Sequence, residues 1–269
     1  MIVIERRQKI KELLIKNTAV KVADLVDLLS VSEETIRRDL LQLEKEGVAI
    51  KNYGGAILSE TLQRNESSIL PVTQRHLQYS IEKELIGKAA AELVQDDQIV
   101  ILDAGSTTFQ VGRYLNQKDL TIITNALNIA EECSKEETAS IYLLGGKLMR
   151  NSMSLVGPQA ESELKKFSAD YVFLGTAGIS LRQGFTSSDL YEAEMKRAMV
   201  SAGQKIVVVA DHSKLQKAGL TPYCDFEEID IFVTSDRVDR ETLKKLESKG
   251  IDVIVTPIPE FESFGRRQE

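Results

Sequence analysis

The amino-acid sequence predicts an α/β protein in two parts: a small helical domain ending in a β-hairpin, then a larger, mainly parallel sheet covered by helices. Three patterns carry that prediction. A helix, a shorter helix, a three-residue turn and a capped helix fill the first 47 positions. Two short apolar segments then flank a glycine pair. From residue 80 onward, apolar strands alternate with amphipathic helices, as in a parallel sheet covered on both faces. At 269 residues the chain can hold two domains and bury at least one substantial core.

The small domain is expected over residues 1–58. Glu5 to Lys16 places Ile10, Leu13 and Leu14 on one helical face, and Val22 to Leu29 forms a shorter helix with Leu25, Leu28 and Leu29 apolar. Ser30-Val31-Ser32 turns the chain, with Val31 expected between the flanking helices. Ser32 is a good N-cap, and Glu33 and Glu34 suit the positive end of the helix that follows. Ile36, Leu40 and Leu43 make its apolar stripe, and Gly47 is expected to end it. Glu34, Arg38, Leu41 and Lys45 point away from that stripe, with Arg37 and Gln42 on its flanks. Paired arginines on the front of a helix held from behind suit a DNA groove, although a solvated amphipathic helix fits this stretch alone equally well. The next residues separate the two readings. Val48 to Lys51 and Ile57-Leu58 flank Asn52-Tyr53-Gly54-Gly55-Ala56 and read as a β-hairpin wing, with Lys51 placed to meet phosphate. The result is a winged helix-turn-helix. Its DNA-facing residues are expected to be Ser32, Glu34, Thr35, Arg37, Arg38, Gln42, Lys45, Lys51 and Tyr53.

Charge supports this division. The formal net charge is −7, yet residues 1–58 hold ten Lys/Arg against nine Asp/Glu, which leaves −8 for the remainder. An acidic body with a locally basic small domain would touch nucleic acid through that domain only. Cys133 and Cys224 are too few for a disulfide framework and are expected to be reduced core thiols. With only His76 and His212 besides, no cluster has metal-ligand spacing, so neither metal nor cofactor is expected. The N-terminal MIVIERRQK lacks an apolar run and no segment approaches membrane-span length, so a cytoplasmic protein with no membrane partner is expected.

Residues 59–79 are polar and broken by Pro71, and are expected to be a linker or a loosely packed connection. The second domain is expected over 80–257, with a tail at 258–269 whose end, Phe264 to Glu269, is expected to be frayed. Ser80 is expected to cap a helix running through Ile81, Leu85, Ala89 and Leu93. Strands are expected at 99–102, 120–123, 141–144, 171–174, 206–209, 231–233 and 253–255. Helices are expected at 108–115, 126–133, 159–166, 190–202 and 240–248. Tyr114, Tyr142 and Phe173 fall on expected core faces. Ligands of such sheets bind beyond the carboxyl ends of the strands, and there the polar and glycine residues collect. Asp103-Ala-Gly-Ser-Thr-Thr108 is a glycine turn with hydroxyls at a helix N-terminus, which suits a phosphate. Thr124-Asn125-Ala126, Gly145-Gly146-Lys147, Gly175 to Ile179 and Asp211-His-Ser-Lys214 end four more strands. Each turn alone is ordinary loop punctuation. Five at successive strand ends point to a small-molecule site.

Val31-Ser32, Thr35-Ile-Arg-Arg-Asp-Leu40, Leu43, Gly47 and Gly54-Gly55-Ala56 together resemble the DeoR family of bacterial sugar-operon regulators. Family members usually carry His where this chain has Tyr53, and often Arg where it has Lys51, which bears on wing contacts. The larger half resembles the family's sensor domain, from the Asp103 turn through Thr124 to Ala126, Gly145-Gly146 and Asp211 to Lys214. That domain is similar to ribose-5-phosphate isomerases. The resemblance implies that Gly105, Ser106, Thr107 and Thr108 hold a phosphate, that Lys214 supplies a cation, and that Asp103 and Asn125 meet sugar hydroxyls. Gly145, Gly146 and Gly178 complete the expected effector site. The expected function is a DNA-binding transcriptional repressor of a carbohydrate-utilisation operon, controlled by a phosphorylated sugar and acting on its operator as a homodimer or homotetramer. The alternative is a sugar-phosphate isomerase or deaminase-like enzyme carrying a DNA-binding domain. Isomerisation needs a carboxylate base beside the substrate carbon. The turn that corresponds, Gly175 to Ser180, has none, and Asp189, Glu192 and Glu194 open a helix where capping is the expected role. No catalytic residue is therefore expected.

Overall fold

A computed structural model describes residues 3–17, 19–45, 48–52, 54–58 and 70–259. The chain divides into two units, with the boundary between Ser80 and Ile81.

In the first unit, helices α1 (Val3–Asn17), α2 (Val22–Leu29) and α3 (Glu33–Lys45) pack on a small sheet. Ile10 and Leu14 of α1, Leu25 and Leu29 of α2, and Ile36, Leu40 and Leu43 of α3 close one apolar core, as the helical periodicity predicts, except that Leu28, read with Leu25 and Leu29, is exposed. The α2–α3 turn begins at Ser30, whose φ of 51° is left-handed. The wing holds one strand more than the expected hairpin. β1 (Ala19–Lys21) pairs with β3 (Gly55–Leu58), which pairs with β2 (Ala49–Asn52), all antiparallel. This third strand explains the glycine pair. Gly54 has φ +80°, and a Cβ on Gly55 would lie 2.1 Å from the Val20 carbonyl oxygen of β1. Gly47 and Tyr53 lie outside the described residues. The connection is not loose throughout: α4 (Val72–Arg75) forms a helical turn after Pro71, with Val72 buried.

The second unit is built on seven parallel strands: β4 (Ile99–Leu102), β5 (Thr121–Thr124), β6 (Ser140–Leu143), β9 (Ala169–Leu174), β12 (Gly203–Val209), β14 (Ile231–Ser235) and β15 (Asp252–Thr256). Their spatial order is β15-β14-β12-β9-β4-β5-β6. The chain lays β4, β5 and β6 outward in one direction, then returns to place β9 on the other side of β4. That reversal opens a crevice beyond the carboxyl ends of β4 and β9. Alternate strand residues feed two cores. Val100, Leu102, Phe173 and Val207 face α5 (Ser80–Ala91), α6 (Ser106–Leu115) and α7 (Leu127–Cys133). Ile101, Val172, Leu174 and Val208 face α8 (Pro158–Leu164), α9 (Leu190–Ala202) and α10 (Arg240–Glu247). Two antiparallel additions extend the sheet's loops: the hairpin β7 (Lys147–Met149) with β8 (Ser154–Val156), and a sheet of β10 (Gly178–Ser180), β11 (Gly184–Ser187) and β13 (Thr221–Cys224).

Two expectations are corrected. Helix α5 begins at Ser80 and turns Ile81 outward; its buried face is Glu82, Lys83, Ile86 and Ala90. Tyr142 is half-exposed, because β6 is an edge strand, and its ring meets Phe167 edge-on at 5.5 Å. Of the expected tail, residues 260–269 lie outside the described residues, and the Ile258 amide donates to Asp236 Oδ1 at 3.2 Å. Cys133 and Cys224 are free and buried, and burial, with Glu132 nearby, pushes the Cys133 thiol up to about 12.

Candidate functional site

The front of α3 is assembled by its cap, its rear and its wing. Ser32 Oγ accepts from the Thr35 amide at 3.3 Å and lies 2.8 Å from the Thr35 hydroxyl, so both expected DNA-facing hydroxyls also start the helix. On the rear, Asp39 is buried between two arginines of α1: Arg6 Nε donates at 2.6 Å and Arg7 Nε at 2.8 Å. Removing one partner of such a buried pair costs about 3–5 kcal/mol. Arg6 and Arg7, counted among the basic residues of this domain, therefore act as struts. Arg37 and Arg38 differ. They pair one turn back with Glu33 at 2.5 Å and Glu34 at 2.6 Å, all four side chains half or more exposed. Exposed helical pairs contribute only about 0.3–0.5 kcal/mol, so DNA can displace them. Gln42 is half-buried beside this face, and the Lys45 side chain, like Tyr53, lies outside the described residues. Lys51 is exposed on the wing, and its amide donates to Glu44 Oε1 of α3 at 3.3 Å, tying wing to helix.

In the second unit the five expected turns lie side by side at the carboxyl edge, in the spatial order β6, β5, β4, β9, β12. Asp103 sits at the crevice and is buried. Its Oδ2 accepts from the Gly175 amide at 3.0 Å, closing the gap between β4 and β9, and from Lys196 Nζ. Lys196 reaches in from α9, donates also to the Gly175 carbonyl at 2.9 Å, and stands 5.3 Å from the Tyr223 ring centroid. Burial, with Cys224 and Asp103 near it, raises the Tyr223 hydroxyl well above its ordinary value. It stays protonated and donates to Gly175 O at 3.1 Å. Gly105 precedes α6 in extended conformation, and the buried Ser106, Thr107 and Thr108 form the helix's first turn, whose amides have no intrahelical carbonyl to meet. The Thr108 hydroxyl is used internally, donating to Gly105 O at 3.1 Å. Asn125 is buried one strand away. Its Nδ2 donates to Leu155 O at 3.0 Å, while its Oδ1 takes no hydrogen bond.

The other expected effector residues have local partners. The Gly145 amide donates to Glu163 Oε2 at 3.0 Å. Gly146 has φ +145°, and a Cβ there would meet Val156 O at 2.7 Å, so this pair shapes the start of the β7–β8 hairpin. The Gly178 carbonyl accepts from the hydroxyls of Thr176 at 2.9 Å and Thr186 at 2.8 Å. Lys214 is half-buried, in a 3-10 turn (His212–Lys214) after β12, two strands from Asp103, or about 10 Å of sheet. The buried Asp211 caps that turn, accepting from the Ser213 amide at 3.0 Å. Burial tends to raise its carboxyl, but Lys83, then Lys214 and the Ser213 hydrogen bonds, outweigh it and hold the group below its ordinary value. His212 in the same turn is bound to Glu82. Of the carboxylates at the start of α9, Asp189 caps the helix, accepting from the amides of Tyr191 at 2.8 Å and Glu192 at 3.1 Å, and Glu194 pairs with Arg197 at 2.5 Å. Among the described residues no group of three or more His, Cys, Asp or Glu side chains could hold a metal ion, and no helix is long and apolar enough to cross a membrane.

Lys196, Glu82 and Lys83 escaped the sequence reading. Each had a signal: a charge on the same helical face as apolar residues, Lys196 with Ala193 and Met199, Glu82 and Lys83 with Ile86.

Known proteins place this architecture. A family description, "DeoR-like helix-turn-helix domain", matches residues 6–61, and "DeoR C terminal sensor domain" matches residues 78–236. The chain belongs to the DeoR family. It is a DNA-binding transcriptional regulator. Among the curated DeoR-type relatives, it is 35% identical to a putative aga operon transcriptional repressor of Escherichia coli O157:H7, over 93% of this chain and 93% of that one. It is 34% identical to the transcriptional repressor GlcR of Bacillus subtilis, over 94% of this chain and 96% of that one. Of solved structures, ribose 5-phosphate isomerase A from Methanocaldococcus jannaschii aligns with a TM-score of 0.39 at 16% identity, covering 51% of this chain and 55% of that one.

Proposed function

We propose that this DeoR-family protein represses a carbohydrate-utilisation operon, and that a phosphorylated sugar bound at the carboxyl edge of the sheet controls its hold on the operator. The observation that carries the reading is the crevice at Asp103. There the unmet amides of a helix N-terminus, a buried lysine and the unpaired carbonyl of Asn125 line adjacent strand ends. Amides and ammonium suit a phosphate, and Asp103 and Asn125 suit hydroxyls. Lys214 acts as a compact point charge from the β12 end. The same geometry disfavours turnover: the Asp103 carboxylate is already held by Lys196 and Gly175, and the Gly175 to Ser180 turn carries no carboxylate base. Two copies acting on repeated half-sites supply the reading length that one winged helix lacks.

A thermal-shift screen of phosphorylated sugars against the full chain tests this. A ligand at a hundredfold excess over its Kd stabilises by about 2.7 kcal/mol, a shift of a few degrees. Ser106→Glu, which places a carboxylate where the phosphate would sit, and Lys214→Ala should each abolish the shift. The same variants should hold operator DNA in gel-shift titrations with no response to the sugar. A response that survives both changes places the effector elsewhere.

A further inference from the structure

Helix α5 is the first helix of the second unit, and it opens with two buried charges side by side: Glu82 is 1% exposed and Lys83 2%. Opposite charges taken out of water at a helix start persist only where each is met. Both are met by the turn that carries Lys214. Glu82 Oε1 accepts from the His212 amide at 2.8 Å, and His212 Nδ1 lies 2.8 Å from Oε2. Glu82 also accepts from the Ser235 hydroxyl at 2.6 Å and lies 3.6 Å from Arg237 Nη1, so the carboxylate gathers the ends of β12 and β14 onto α5. Lys83 Nζ stands 3.7 Å from Asp211 Oδ2, an oxygen that takes no hydrogen bond. That contact is long for a charge-assisted hydrogen bond of about 2.8 Å, so a shift of roughly 1 Å would close it.

We propose that Glu82 is a positioning residue that locks the start of α5 to the Lys214 turn, so that a phosphate drawn to Lys214 moves that helix start, and through it the residues that lead back to the DNA-binding unit. The proposal rests on the reading of Lys214 as an effector contact. Its physical content is a single element with two arrangements, biased from one side by the ligand and from the other by the chain that joins the units. Glu82 need not touch the ligand. Its loss would leave both sites able to bind and break only the connection between them.

The test uses the full chain, a duplex selected from random sequence by that chain, and four probes: ribose 5-phosphate, fructose 6-phosphate, glucose 6-phosphate and glycerol 3-phosphate. Calorimetry gives the probe Kd with and without the duplex, and the ratio of the two is the coupling. In Glu82→Gln both separate affinities should stay within about threefold of the unmodified protein, while the coupling falls at least tenfold towards unity. Hydrogen exchange on the unmodified chain supplies a measurement that needs no variant. The active probe should change exchange at residues 80–86 together with residues 211–214. Full coupling in Glu82→Gln, or a response at 211–214 with none at 80–86, overturns the proposal alone. Binding of no probe, or unchanged binding by Lys214→Ala, overturns the effector reading first and this proposal with it.

Discussion

Arg37 and Arg38 each rest in an exposed pair with a glutamate one turn back, and those pairs must open before either guanidinium can enter a groove. Each exchange surrenders only about 0.3–0.5 kcal/mol, against about 1–3 kcal/mol for a bidentate contact to a guanine. Arg38→Ala is therefore expected to weaken operator binding by about tenfold or more while leaving sugar-phosphate affinity unchanged. Fluorescence anisotropy on the selected duplex measures the first and calorimetry the second; full operator affinity in a variant lacking both arginines would remove α3 from the groove. Asp211 poses a different single-residue question, one of pH. Its carboxyl is held below the ordinary value. A depressed carboxyl adds stability above its unfolded pKa, about 3.9, and loses it as pH falls through the lower folded value. Asp211→Asn should thus cost about 3 kcal/mol at pH 7, where it leaves Lys83 facing a neutral amide, and the deficit should narrow below about pH 4. Urea melts at pH 7 and pH 3 compare the two; a deficit as large at pH 3 would mean that the charge is not what stabilises the turn.

At the scale of elements, helix α3 depends on α1 through Asp39 more than its own periodicity suggests. Asp39→Ala leaves Arg6 buried and unpaired, and is expected to destabilise the first unit by about 3–5 kcal/mol. The loss should appear in calorimetry as an early transition, and in hydrogen exchange as fraying of α1 and α3 with the sheet of the second unit still protected. A uniform loss across both units would contradict it. This pair also marks what a sequence can and cannot disclose. The stripe Ile36, Leu40, Leu43 and the apolar runs of the parallel strands are local patterns, so they were legible and set the fold. Strands β7, β8 and β10 are three residues long and β11 and β13 four, too short for an alternation to register, so the hairpin and the whole of the small antiparallel sheet were missed. The crevice turn was legible because glycine and hydroxyls cluster in one stretch. Its cation was not, because Lys196 meets Asp103 across 93 positions, and Glu82 meets His212 across 130. A buried charge on an apolar helical face is the mark such partners leave, and Lys196 bears it.

For the whole molecule, an acidic body should confine DNA contact to the winged domain, and that would make the number of copies on the operator measurable. Residues 1–58 carry a net +1 and the rest −8, so phosphate should approach through the wing and helix alone. Among the described residues the exposed cations expected to face DNA are Arg37, Arg38 and Lys51, and Lys45 is a fourth contact expected from the sequence. Neutralising Z phosphates gives a log–log salt slope of about −0.9Z on B-DNA. Four such contacts from one protomer would therefore give a slope of about −4, and two protomers on adjacent half-sites about −7. The expectation is the steeper value, from operator titrations between 50 and 200 mM salt. Saturating sugar phosphate should shift the line to weaker binding without changing its slope, if the sugar alters how readily the two wings are presented together rather than which residues touch DNA. The factor of that shift must equal the factor by which the duplex weakens sugar binding, because linkage is reciprocal. A slope near about −4 would mean that a single winged domain reads the operator and would remove the dimer from the mechanism. A slope that flattens with sugar would mean that the effector strips individual phosphate contacts, which places its action on Arg37, Arg38 or Lys51 themselves.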